Sequence, residues 1–194
     1  MLSVKDDIDW GPPLASCNIE TLELAGGGID AGEWLTIFRS LTNLKSFSYS
    51  PGNPKHVGFV EMNPSGLRMH LPLVKDTLAS LELYGSYLES DKTDLLGSLH
   101  DFVKLKNISI QAALLIGGAH SKAEKDLWEY LLKALEGLTL WADGSYGVEN
   151  REDILDQIAE VVLRKESHFR ALEKLTIDQI EGQGVESFEG SLSG

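Results

Sequence analysis

The chain has a single cysteine, Cys17, in 194 residues. One thiol forms no internal disulfide and supplies no multi-cysteine zinc site. No apolar run approaches the ~20 residues that a membrane-spanning helix needs. Basic residues are scarce: 17 Lys and Arg face 30 Asp and Glu, a formal net charge of −13. Such a surface repels phosphate, which argues against a nucleic-acid binder and against docking on anionic lipid. The stretch from Met1 to Trp10 holds three Asp and no apolar segment, so it does not resemble a secretory leader. Five histidines, at 56, 70, 100, 120 and 168, include no i, i+4 pair, so no helical metal pair is expected. No Gly-x-Ser-x-Gly elbow is present. These absences predict an acidic, non-catalytic protein of a reducing compartment, cytoplasmic or nuclear, with no cofactor and no metal.

What the chain does contain is a recurring hexad: apolar, two variable residues, apolar, one variable residue, apolar. It reads Ile19-Glu-Thr-Leu22-Glu-Leu24, then Leu44-Lys-Ser-Phe47-Ser-Tyr49 and Leu78-Ala-Ser-Leu81-Glu-Leu83. It continues as Leu105-Lys-Asn-Ile108-Ser-Ile110, Leu135-Glu-Gly-Leu138-Thr-Leu140 and Leu172-Glu-Lys-Leu175-Thr-Ile177. The six copies begin about 31 residues apart on average. Residues two apart share one face of a strand, so each copy predicts a short strand with two buried side chains. The first apolar residue fills the core beneath the incoming turn. No unit buries its apolar face alone, so neighbours must stack.

Amphipathic segments lie between the copies. Asp30 to Leu41 places Trp34, Leu35, Phe38 and Leu41 at helical spacing. Thr93 to Phe102 does the same with Leu95, Leu96, Leu99 and Phe102. Ser121 and Glu124 have capping-box spacing ahead of Trp128, Leu131, Leu132 and Leu135. Asn150 is placed to cap a helix carrying Ile154, Leu155, Ile158, Val161 and Val162. The run from Leu67 to Leu78 is interrupted by Pro72. Trp34 and Trp128 are both expected in the core. Residues 48–66 and 141–150 read as loops from their Gly, Pro, Asn and Asp content. Strand and helix alternating at this period predict an α/β chain with a parallel sheet.

The hexads resemble leucine-rich repeats. The closing apolar position of that pattern is present at Ile29, Leu88 and Leu115, and the asparagine position is filled by other residues in all six copies. More narrowly, Leu81-Glu-Leu-Tyr-Gly-Ser, Leu96-Gly-Ser-Leu-His-Asp-Phe and Leu105-Lys-Asn-Ile resemble fungal F-box proteins of the leucine-rich-repeat type. The resemblance implies a solenoid of about six irregular repeats over residues 19–180, a curved parallel sheet with helices on its convex face. A lead-in at 1–18 and a disordered tail at 181–194 would flank it. It further implies substrate capture for a ubiquitin ligase. Only 18 residues precede the first hexad, too few for an F-box, so the expectation is the recognition half alone. A ubiquitin-ligase scaffold would then be a partner only if an F-box stands upstream.

Register alone gives the candidate binding surface. Residues flanking and between the paired apolar positions point away from the core, and this face carries Glu23, Glu82, Asp178 and Lys174 among small polar residues. Two large aromatics interrupt it, Tyr84 and Trp141, with Gln111 between them in the same row. Strands ~4.8 Å apart put those two roughly 10 Å from each other. Tyr84, Gln111, Trp141, Glu82, Ser109 and Thr139 are the expected contacts for a protein partner.

A competing reading is a small nucleotide-binding enzyme. Gly26-Gly27-Gly28-Ile29-Asp30-Ala31 has the spacing of a dinucleotide fingerprint between a strand and a helix. The acid expected about 20 residues later is missing, since that region reads Tyr49-Ser50-Pro51-Gly52. The acidic residues Glu89, Asp91 and Asp94 fit a helix start, where they favour the dipole. The sequon Asn107-Ile108-Ser109 falls inside an expected strand and is discounted as a glycosylation site.

Overall fold

The computed structural model describes residues 18–26, 28–51, 64–84, 95–116, 126–143, 151–181 and 184–191. The expected loop at 48–66 falls largely outside them, as do Ser121, Glu124, the acids at 89–94 and most of the loop at 141–150. All six hexads become strands: β1 (Thr21–Ala25), β2 (Ser46–Ser50), β3 (Ser80–Leu83), β4 (Asn107–Gln111), β5 (Gly137–Asp143) and β6 (Lys174–Glu181). They form one sheet in sequence order, each parallel to the next. The hexads align without a slip. Leu22, Phe47, Leu81, Ile108, Leu138 and Leu175 make one rung, and Leu24, Tyr49, Leu83, Ile110, Leu140 and Ile177 the next. A one-residue slip would turn every one of these side chains to the other face.

Backbone hydrogen bonds stitch the strand entrances. The carbonyls of Glu20, Lys45, Ala79, Lys106 and Glu136 each accept two amides from the next unit, at 2.7 to 3.2 Å. This main-chain ladder joins successive units where no asparagine ladder exists. Lys45 with Glu20 and Lys106 with Glu136 add ion pairs at 2.6 Å. Both are solvent-exposed and contribute little.

The helical segments pack on one side of the sheet. The leading hexad residues Leu44, Leu78, Leu105, Leu135 and Leu172 are buried there, whereas Ile19, ahead of the edge strand, is 40% exposed. Helix α1 (Ala31–Ser40) is capped by Asp30 and closed by Glu33 in a capping box. Its Trp34 stacks on Phe38 and meets Phe47 and Tyr49 edge-on at centroid distances of 5.8 and 4.9 Å. Helix α2 (Pro64–His70) gives way to a 3-10 turn at Leu71–Val74, where Pro72 occupies the first turn that tolerates it. Pro64 and Gly66, read as loop, belong to α2. A short α3 (Ala112–Ile116) follows β4 directly and is wholly buried. Helix α4 (Arg151–Leu163) and the single turn α5 (Lys165–His168) precede β6.

Two expected helices take another path. Residues 95–102 bury Leu96, Leu99 and Phe102 but are not helical. Gly97 sits at φ +83, and the amides of Leu96 and Leu99 donate to Leu114 and Tyr130 of the next units. Those donors are therefore lost to any i→i−4 ladder. Between Asp126 and Leu135 there is only a 3-10 turn, Leu127–Glu129. The segment buries Leu131, Leu132 and Leu135, and Trp128 is partly buried, packed against the core beside His168, short of the full burial expected of it. On α4, Ile154, Ile158 and Val161 face inward, while Leu155 and Val162, one position further round, are exposed.

The expected disordered tail is also corrected. Residues Gly184–Ser191 form β7, antiparallel to β6 from Lys174↔Ser191 to Glu181↔Gly184. The outer edge of β6 offers a row of main-chain donors and acceptors, and a following segment that folds back satisfies them whatever its composition.

Candidate functional site

The sheet face opposite the helices is built from small polar residues. Along β3 to β6 the register gives three rows. The first is Ser80, Asn107, Gly137 and Lys174; the second Glu82, Ser109, Thr139 and Thr176. The third continues from Tyr84 to Gln111, Trp141 and Asp178. Tyr84 follows the end of β3, and its amide still donates to the Tyr49 carbonyl at 3.0 Å, which keeps it in register. The expected six contacts thus share one patch.

Their geometry differs from simple alternation. Tyr84 and Trp141 flank β4, yet their ring centroids are 4.8 Å apart at an interplanar angle of 52°. The rings lean toward each other across the intervening strand. Trp141 Nε1 donates to Ser109 Oγ at 2.7 Å, which draws the indole over β4. The expected separation of roughly 10 Å holds for the backbones and not for the rings.

Gln111, expected as a contact, is only 2% exposed. It lies between the two ring-bearing strands and is shut from solvent, and its Nε2 and Oε1 have no hydrogen-bond partner. Thr176, next to Thr139 in the second row, is 5% exposed with an unpartnered Oγ. A buried polar group without a partner is costly, so two on one face need a reason. Neither was distinguishable in the sequence from an ordinary face residue.

Burial pushes the Tyr84 phenol above its ordinary range. Hydrogen bonding to Glu82 and the Glu82 charge push it further, Ser109 opposes, and the charge of Asp178 adds to the rise. Two carboxylates therefore act on the aromatic pair. Asp178 was legible as a face residue and not as a neighbour of Tyr84.

Below the rings the face dips into a shallow depression that includes Glu82, Asn107, Ser109, Gly137, Thr139 and Lys174. Gly137 provides the room, since a Cβ there would sit 2.7 Å from Asn107 Oδ1. Asn107 is on β4, as expected for the discounted sequon.

The glycine-rich turn sits elsewhere. Gly26 has φ +75, a conformation suited to glycine, and its amide donates to the Ser50 carbonyl at 2.8 Å. Gly27 lies outside the described residues. The amide of Glu33 donates to Asp30 Oδ1, and Glu33 Oε2 accepts from the Asp30 amide, both at 2.8 Å. The helix N-terminus where a pyrophosphate would sit is thus already served by two carboxylates, which repel an anion. Among the described residues no group of three or more His, Cys, Asp or Glu could hold a metal ion. Among them, too, no helix is long and apolar enough to cross a membrane.

No protein-family model, curated protein or solved structure matches the chain.

Proposed function

We propose that the chain is a leucine-rich-repeat solenoid acting as a non-catalytic protein-recognition module, with the Tyr84–Trp141 pair as its anchor. The observation that carries the reading is that ring pair. It stands, partly exposed, on an otherwise small-residue polar face, on the side of the sheet away from the helices. Amphipathic aromatics ringed by Ser, Thr and Asn supply large contact area at low entropic cost. Six in-register hexads and the main-chain ladder support the solenoid part. The resemblance to fungal F-box proteins extends the proposal to substrate capture for ubiquitination, with a ligase scaffold as second partner if an F-box accompanies this segment. A nucleotide site at the glycine-rich turn is disfavoured by the carboxylates of Asp30 and Glu33 at the start of α1.

The test is a peptide-display selection on the wild-type chain, repeated on the Tyr84→Ala, Trp141→Ala double variant. Enriched ligands should lose at least ~2 kcal/mol of binding in the double variant. Its melting temperature should fall by only a few degrees, as expected for a surface ring pair in a chain this size. Ligands that bind both forms equally would remove the aromatic pair from the interface. Added NADH should leave the melting temperature unchanged.

A further inference from the structure

Resting on the recognition reading, we propose that the anchor site takes a guanidinium group: an arginine side chain of the partner lies on the Tyr84–Trp141 rings between the Glu82 and Asp178 carboxylates. The rings present a joined aromatic surface, and a planar cation stacks on such a surface through the ring quadrupole. Acids bracket it on both sides. Glu82 is two residues before Tyr84 on the same face, and Asp178 is the register partner of Trp141 on β6. Both charges reach the Tyr84 phenol. Among the described residues neither carboxylate has a cationic partner. Lys174 is the one cation of the three rows, and it stands four residues before Asp178, about 13 Å along the strand.

The carboxylates of this face fit the same ligand. A guanidinium has five N–H donors and no acceptor. Glu82 and Asp178 supply charged acceptors on the open face. A hydrophobic or acidic anchor would leave both carboxylates without a counter-charge. The net charge of −13 favours a basic partner over distance as well. Elsewhere on its surface the chain makes the same chemistry internally, with the Arg164 guanidinium 4.6 Å from the Trp128 ring centroid while paired to Glu160.

The probe is the capped peptide Gly-Gly-Arg-Gly-Gly, compared with versions in which the arginine is citrulline or glutamate. The readout is the Trp141 indole N–H resonance by NMR, assigned with Trp141→Phe. The arginine peptide should shift it saturably and bind at least ~10-fold more tightly than the citrulline peptide, which keeps the shape without the charge. Glu82→Gln and Asp178→Asn should each weaken the arginine peptide several-fold with unchanged melting temperature, and added salt should weaken it further. A citrulline or glutamate peptide that binds as well as arginine overturns the proposal, as does full arginine binding in the Glu82→Gln, Asp178→Asn double variant. Display ligands that depend on Tyr84 and Trp141 but bind equally with arginine replaced by citrulline overturn the guanidinium alone. If no ligand depends on those rings, the recognition reading falls with it.

Discussion

Tyr84, just past the end of β3, and Trp141 on β5 stand on either side of β4, and their ring centroids lie 4.8 Å apart across it. The contact converts two isolated face residues into one surface, with Gln111 buried on the strand between them. Ser109 holds the arrangement through Trp141 Nε1. A double-mutant cycle of Tyr84→Ala and Trp141→Ala should give a coupling of about 0.5–1.5 kcal/mol in chemical unfolding. Ser109→Ala should cost a similar ~0.5–1.5 kcal/mol by removing the indole's acceptor. Coupling indistinguishable from zero would mean the rings stand apart in solution.

Adjacent residues of β3 should respond oppositely to truncation. Leu81 is fully buried within the core cluster, so Leu81→Ala should destabilise by ~2–5 kcal/mol. Glu82 points to the open face and hydrogen-bonds the Tyr84 phenol, so Glu82→Ala should cost less than ~1 kcal/mol. Equal large losses in urea unfolding would refute the register assigned to the whole face.

The strands were legible because period-2 alternation has one structural solution at each hexad, and a register slip would expose Leu81 and Leu83 together. The connecting segments were not. In residues 95–102 the spacing of Leu96, Leu99 and Phe102 identifies what is buried, but a helix and an irregular path bury the same residues. The choice was made by Gly97 and by amides that donate to Leu114 and Tyr130, partners remote in sequence. Trp128 shows the same limit, since helical spacing placed it fully in the core and a 3-10 turn left it only partly buried, beside Arg164. In the candidate site, parity placed Tyr84, Gln111 and Trp141 in one row. It carried nothing about the lean of the rings, which depends on side-chain rotamers and on Ser109. It carried nothing about the burial of Gln111 either.

Amide exchange should be asymmetric along the sheet. Strand β1 has one neighbour among the described residues, Ile19 ahead of it is exposed, and its Leu22 and Leu24 are only partly buried. Strand β6 has β5 on one side and β7 on the other. The amides of β1 should therefore exchange fastest among the parallel strands, and those of β3 and β4 slowest. Equal rates in β1 and β4 would contradict a sheet that opens from this edge.

Gln111 should be a position where the native polar side chain costs stability. Its amide is buried with both polar atoms unpartnered, a cost that an apolar side chain of similar length avoids. Gln111→Met should leave stability unchanged or raise it by up to ~1–2 kcal/mol. A large destabilisation in thermal or urea unfolding would show that the amide is satisfied in solution.

The alkaline limit of the fold should be set in part by Tyr49. Burial pushes its phenol up to about 12, a backbone hydrogen bond at Ile29 opposes the rise, and the charge of Glu33 adds to it. Below pH ~10 the phenol is protonated in both folded and unfolded chains, so Tyr49 confers no pH dependence there. Above ~10 the unfolded chain loses the proton first, which favours unfolding until the folded phenol also titrates. Stability should therefore fall between pH ~10 and ~12, by roughly 2–3 kcal/mol from this residue. Tyr49→Phe keeps the ring packed against Trp34 and has no phenol to ionise, so its stability should decline less steeply over that interval. The raised Tyr84 phenol contributes equally to both proteins and cancels in the comparison. Parallel stability curves for wild type and Tyr49→Phe from pH 9 to 12 would show that the Tyr49 hydroxyl is not buried as described.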